Sequence, residues 1–168
     1  KDYHSIAVAG SHGKTSTSTF ISTLLDLCTK NTSSIIGGIQ PIYDSNYHIG
    51  NNKYLVAEID ESDGSTGNYS SNLGLIMNID FDHCDHYSDL DSVILSFKKF
   101  ATNSKKLLTN YDCKVIEKHF SSHYKWSIKE TKNVDYSMIP ISISNVGTKA
   151  KYYENGKYID NLEIPVPG

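Results

Sequence analysis

Ser5–Ala9 (SIAVA) is an apolar run that stops at a glycine, and the text then reads Gly10-Ser11-His12-Gly13-Lys14-Thr15-Ser16 before a helical pattern begins. A buried strand feeding a glycine turn that opens a helix constrains the fold more than any other feature, because that succession belongs to parallel α/β sheets. The glycines let backbone N–H groups turn toward one point, and the helix N-terminus adds unpaired donors and partial positive charge. Such a loop suits a phosphate. Lys14 can reach the β- and γ-phosphates of ATP, and the Thr15 hydroxyl can ligate Mg²⁺. Only Ser11 and His12 separate the two glycines, whereas the ordinary Walker loop places four residues there, which argues against a generic GTPase or motor ATPase. A plain strand-to-helix turn with a capping serine or threonine is the other reading of these residues.

The rest of the chain repeats the alternation. Strands are expected at Ser34–Ile36, Tyr54–Ile59, Leu75–Ile79 and Lys106–Thr109. A helix from about Lys14 is expected to bury a stripe of Phe20, Ile21, Leu24, Leu25 and Cys28, and a second helix spans Leu90–Ala101. Strands alternating with helices predict an α/β fold with a mostly parallel sheet flanked by helices. From about Tyr136 the text becomes β-rich and tyrosine-rich, and Asn155-Gly156 between strand-like runs is a strong hairpin signal. Asp135–Ile164 therefore reads as a small antiparallel appendage.

With 168 residues the chain has room for one sizeable core. A net charge of -3 gives no nucleic-acid footprint, and no apolar run is long enough to span a bilayer. Three cysteines without a close pair point away from a disulfide framework and toward a reducing cytoplasm. All 16 basic residues are lysines, so any arginine clamp on a transferring phosphate must come from elsewhere. The chain starts at Lys1 and ends on Val166-Pro167-Gly168, which reads as a linker; a piece of a longer protein is expected.

Two more segments carry chemistry. Tyr54–Ile59 runs into Asp60, Glu61, Ser62 and Asp63, and Glu58 shares a strand face with Tyr54 and Val56. Leu75–Ile79 runs into Asp80-Phe81-Asp82-His83-Cys84-Asp85-His86. In open parallel sheets ligands bind beyond the carboxyl ends of strands, so the glycine loop and both acidic segments could converge on one crevice. Oxygen ligands there suit Mg²⁺ with phosphate and water. Asp82–His86 also admits a zinc reading, and the acidic run after Glu58 admits that of a solvated loop.

Together these segments, with Gly37-Gly38 and Asn78-Ile79-Asp80-Phe81-Asp82-His83, resemble the Mur ligases over essentially the whole chain. The resemblance implies the central ATP-binding domain, residues 1–168, of a cytoplasmic bacterial enzyme of peptidoglycan synthesis, with 135–164 as a β-rich subregion. It implies an ATP- and Mg²⁺-dependent carboxylate–amine ligase working through an acyl phosphate. His12 and the Asp60-Glu61-Ser62-Asp63-Gly64 run resemble the alanine-adding branch, which implies UDP-N-acetylmuramate and L-alanine as substrates of the full-length protein. The peptide-recycling and folylpolyglutamate-type branches, or a nucleotide-binding module without ligase activity, remain alternatives. The implied nucleotide contacts are Gly10, Ser11, His12, Gly13, Lys14, Thr15 and Ser16. Lys14, Glu58 and His83 would be catalytic; Thr15 and Glu58 would hold one Mg²⁺ and His83 a second. Ser62 and Asp63 would face the sugar substrate. The piece alone is expected to be inactive, because the family's UDP-binding and amino-acid-binding domains are absent. Departures are Ser11 and Ser16 in place of threonines, Thr66 where an apolar residue is usual, and Phe97 where several relatives carry a modified lysine, with Lys98 adjacent.

Overall fold

The computed structural model describes residues 3–29, 31–62, 65–81 and 87–165. In chain order the elements are β1 (His4–Ala9), α1 (Lys14–Thr29), β2 (Ser33–Gln40), β3 (Ser45–His48), β4 (Tyr54–Glu58), a 3₁₀ turn (Ser65–Asn68), β5 (Ser71–Ile76) and α2 (Leu90–Asn103). Then come β6 (Ser104–Asn110), α3 (Lys114–His119), β7 (Tyr124–Ser127), β8 (Tyr136–Ser144), β9 (Gly147–Glu154) and β10 (Lys157–Ile164). The polypeptide divides into two compact units, Lys1–Leu107 and Leu108–Gly168, with β6 crossing the boundary.

In the first unit the strand order is β5-β1-β4-β2-β3. β1 pairs in parallel with both β4 and β5, β2 pairs in parallel with β4, and β3 runs antiparallel to β2. The registers Val8↔Glu58 and Ala9↔Ile76 end three neighbouring strands at one edge. A sheet packed on both faces demands continuous apolar strands, and Val8, Ala9, Val56 and Ile76 are fully buried. α2 contributes Val93, Ile94, Phe97 and Phe100, with both phenylalanines at 0% exposure. It begins at an Asp89 cap whose carboxylate accepts from Ser92 N–H at 2.8 Å, while the Ser92 hydroxyl faces Asp89 N–H at 3.4 Å.

In the second unit β6, β7 and β8 are parallel and β8, β9 and β10 antiparallel. The expected hairpin is present: Glu154 pairs with Lys157, and Asn155 and Gly156 take φ of 48° and 75°. The β-rich stretch 135–164 lies inside this unit. No helix among the described residues is long and apolar enough to cross a membrane.

Three expectations need correction. α1 starts at Lys14 as expected, but its apolar stripe is only half-buried at Ile21 and Leu25 and does not form the fully buried face. Ser18 and Ser22 are buried instead, while Phe20 is 50% and Leu24 61% exposed and Cys28 is exposed as well. Ser18 satisfies its hydroxyl on Lys14 C=O at 2.8 Å and Ser22 donates to Gln40 Oε1 at 3.4 Å, so these small residues turn inward with their own hydroxyls paired. The strand expected over Leu75–Ile79 runs over Ser71–Ile76, because Asn78 and Asp80 bond to the glycine loop instead of continuing the ladder. The strand expected at Ser34–Ile36 extends to Ser33–Gln40.

Candidate functional site

The chain after β5 braces the short glycine loop. Met77 N–H donates to Ala9 C=O at 2.9 Å and Ser11 N–H to Asn78 C=O at 3.1 Å. The Asn78 side chain closes on His12 from both sides, accepting from its N–H at 2.7 Å and donating to its C=O at 3.0 Å. The Ser11 hydroxyl accepts from Asp80 N–H at 2.9 Å and donates to Asp80 C=O at 3.2 Å. Gly10 takes φ +149°, and a Cβ there would lie 2.9 Å from Met77 Cβ, so the close approach of the two segments requires glycine. Thr17 N–H donates to Gly13 C=O at 3.0 Å, which starts α1 directly behind the loop.

Beyond this edge lies an open cavity of about 520 Å³. Gly13, Lys14, Thr15 and Ser16 contribute to its lining from the loop and helix, Gly37 from within β2, Glu58 from the end of β4, and Asp60 and Ser62 from the chain beyond it. Thr15 Oγ1 donates to Glu58 Oε1 at 2.8 Å, and Gly37 N–H donates to Glu58 Oε2 at 2.6 Å. Gly37 and Gly38 have a steric reason to be glycines. A Cβ on Gly37 would sit 3.1 Å from both Glu58 oxygens, and one on Gly38 would sit 2.9 Å from Thr15 Cγ2. Lys14 Nζ is held by the Glu61 carboxylate at 2.7 Å and 3.0 Å, in a pair whose side chains are only 12% and 3% exposed. Asp60 accepts from Ser62 N–H at 3.1 Å and from its hydroxyl at 2.9 Å. Thr66 is buried and donates its hydroxyl to Asp60 C=O at 3.3 Å, which accounts for a hydroxyl at a usually apolar position.

The structure thus brings Gly13, Lys14, Thr15, Ser16, Glu58 and Ser62 to one cavity. Gly10, Ser11 and His12 are not among its lining residues; the N–H groups of Ser11 and His12 point to Asn78. His83 and Asp63, and with them the Asp82–His86 segment and its zinc reading, lie outside the described residues. Among the described residues no group of three or more His, Cys, Asp or Glu could hold a metal ion. Three contributions were not assigned from sequence: Asn78 as the brace, Glu61 on Lys14, and Gly37 as a donor to Glu58. Asn78 and Gly37 sit inside motifs already noted, and Glu61 lies three residues beyond Glu58, but only the fold shows what each touches.

The Mur ligase middle domain family model matches residues 8–168. UDP-N-acetylmuramate--L-alanine ligase of Prochlorococcus marinus subsp. pastoris is 64% identical over 166 residues, which are 99% of this chain and 35% of that protein. The ligase of the same name from Synechococcus sp. (strain CC9311) is 43% identical over 98% of this chain and 34% of its own length. The chain therefore spans about a third of the length of these relatives. Among solved structures, UDP-N-acetylmuramate-alanine ligase MurC from Thermotoga maritima matches with TM-score 0.86 and 27% identity, over 99% of this chain and 38% of that one. MurF ligase from the same organism, in complex with ADP, shares the fold with TM-score 0.73 at 14% identity, over 96% of this chain and 40% of that one. The cleft at the carboxyl edge of β1 and β4 is accordingly that of a chain belonging to the Mur ligase family, matched along nearly its whole length by that family's middle domain.

Proposed function

We propose that the cleft binds Mg²⁺-ATP and that, within a longer chain, it drives the joining of L-alanine to the carboxylate of UDP-N-acetylmuramate. The observation that carries this reading is the meeting of Lys14, Thr15 and Glu58, from two distant segments, at one open cavity beyond the strand ends. The names of the relatives at 64% and 43% identity supply the substrates.

The donor set fits Mg²⁺. Thr15 Oγ1 and Glu58 Oε1 are two hard oxygens already 2.8 Å apart that would hold the ion, and Mg²⁺ favours such donors alongside phosphate and water. Gly37 N–H on Oε2 orients the carboxylate so that Oε1 faces the threonine. A metal bound there screens the nucleotide's negative charge, which otherwise keeps a second anion, the substrate carboxylate, at a distance. Lys14 serves the same end from the loop, neutralising charge on the terminal phosphates. His83 belongs to the same reading as a ligand for a second Mg²⁺. Ser62 and Asp63 belong to it as contacts to the sugar substrate, and residues 1–168 as the family's central domain.

In chemical terms the γ-phosphoryl group passes to the lactyl carboxylate oxygen, the bond to ADP breaks, and an acyl phosphate forms. The amine of alanine then attacks the acyl carbon, loses a proton, and expels inorganic phosphate. The test is phosphate release by the full-length protein, with UDP-N-acetylmuramate, L-alanine and Mg²⁺-ATP omitted in turn. Release only when all are present supports the reading. Equal ATP hydrolysis without the sugar nucleotide and amino acid would replace it with a nucleotide-binding module that performs no ligation.

A further inference from the structure

The ion pair beneath the loop has a role that the phosphate-binding reading leaves unassigned. Lys14 is the residue expected to meet the phosphates, yet its ammonium is committed to Glu61 through both carboxylate oxygens. Glu61 is not part of the cavity lining, and with 2% of the residue exposed its charge is almost wholly removed from water. Glu58 and Asp60 do line the cavity. Among the described residues, the charged side chains lining the cavity are Lys14, Glu58 and Asp60, and Lys14 is paired with the buried Glu61.

A bare triphosphate meets two obstacles here. It must draw Lys14 away from Glu61, leaving a buried carboxylate without its lysine, a situation that is costly in a low-dielectric interior. It must also approach the carboxylates of Glu58 and Asp60, which repel it. A triphosphate that arrives with Mg²⁺ brings the missing positive charge, and sharing Lys14 with Glu61 then costs less.

We propose that Glu61 is a positioning residue that acts through Lys14 and makes the cleft select metal-loaded over metal-free nucleotide. The proposal rests on the nucleotide-binding reading and adds what sets its preference. Glu61 holds the ammonium under the loop, in place but unavailable to an uncompensated anion. No bond is made or broken; the residue acts by charge alone.

The test uses the full-length protein and calorimetric titration with a non-hydrolysable ATP analogue, once with excess Mg²⁺ and once with chelator. The quantity read is the ratio of the two dissociation constants. In the natural protein the metal is expected to tighten binding at least ~100-fold. Glu61→Gln keeps the shape and removes the charge, and is expected to narrow that ratio at least ~10-fold, by strengthening metal-free binding. Glu61→Asp keeps a charge but draws it back from Nζ, and should narrow the ratio about threefold. A merely structural role would weaken both titrations together and leave the ratio alone. An unchanged ratio in whichever variants melt cooperatively overturns the proposal, and Glu61→Asp serves if Glu61→Gln does not fold. Failure of the natural protein to bind the analogue under either condition removes the nucleotide reading itself, a distinguishable result.

Discussion

Thr15 and Glu58, 43 residues apart in sequence, share a hydrogen bond of 2.8 Å across the mouth of the cleft. The bond joins the first turn of α1 to the last residue of β4, and both belong there for local reasons. Thr15 follows the glycine turn that starts the helix, and Glu58 sits opposite Val8 at the end of the parallel ladder. A hydroxyl and a carboxylate poised in this way could give up the hydrogen bond between them and share a divalent cation instead, the hydroxyl keeping its proton and ligating through oxygen.

Glu58→Gln removes the charge while keeping the bond to Gly37 N–H geometrically possible. In the full-length protein it is expected to lower kcat/KM at least ~100-fold and to raise the Mg²⁺ concentration for half-maximal rate. A Mg²⁺ titration of phosphate release reads both, and an unshifted midpoint would remove Glu58 from the metal site.

Lys14→Ala should abolish turnover, by ~1,000-fold or more. The buried pair with Glu61 adds an effect on the fold. Removing the lysine takes the ion-pair partner from a buried carboxylate and should cost about 3 kcal/mol of stability, part of which Lys14→Met with Glu61→Gln should restore. Urea melts of the single and double variants decide it; a single variant as stable as the natural protein would show that the pair contributes nothing.

Gly38→Ala places a methyl 2.9 Å from Thr15 Cγ2, a distance real side chains do not tolerate. Thr15 must turn or α1 must shift, and either disturbs the contact with Glu58. A loss of roughly tenfold in kcat/KM is expected, since sub-ångström displacement of a ligating group is enough for such an effect. Kinetics indistinguishable from the natural protein would mean the cleft has slack here.

Phe100→Ala opens a cavity under α2, where the ring is fully buried and lies close to Gly74 of β5. The expected cost is about 3–5 kcal/mol, read as a lower midpoint of chemical unfolding. A loss under about 1 kcal/mol would contradict the packing described.

Asp26 gives a pH dependence. The N–H of Thr32, at 2.9 Å, stabilises its charged form and holds its pKa below the ordinary carboxylate value; Tyr43, Asn31 and His48 act in the same direction, while burial opposes. Because the folded value is the lower one, the unfolded chain binds more protons in acid. The contribution is complete above about pH 5, where the unfolded carboxyl is also ionised, and is lost as pH falls through the folded value. Solvent screening limits it to about 1 kcal/mol. Asp26→Asn should flatten the fall in stability between pH 5 and 3, and an identical acid limb in both proteins would refute the assignment.

Much of this was legible in the residues. β1, the start of α1, β4, α2 and the Asn155-Gly156 hairpin each carry a local signal, whether an apolar run, a glycine turn or a positive-φ pair. β3, α3 and β7 were not legible: Ser45–His48 is polar, Lys114–His119 is a turn and a half of helix, and Tyr124–Ser127 has four residues. Their existence depends on neighbours rather than on pattern. The buried face of α1 misled for a different reason, since apolar periodicity identifies an amphipathic helix without saying which stripe meets the sheet. In the cleft, Lys14, Thr15 and Glu58 could be named from motif chemistry, whereas Asn78 and Glu61 depend on contacts spanning 66 and 47 residues.

The double clasp of Asn78 on His12 has a bearing on protein engineering. The spacing of two residues between the glycines and the irregular tail of β5 form a matched lock, each cut to the length of the other. Splicing in a longer phosphate loop from an unrelated ATPase would leave Asn78 and Asp80 without the partners that end their strand. Exchanges of this loop should therefore succeed only when residues 77–80 travel with it.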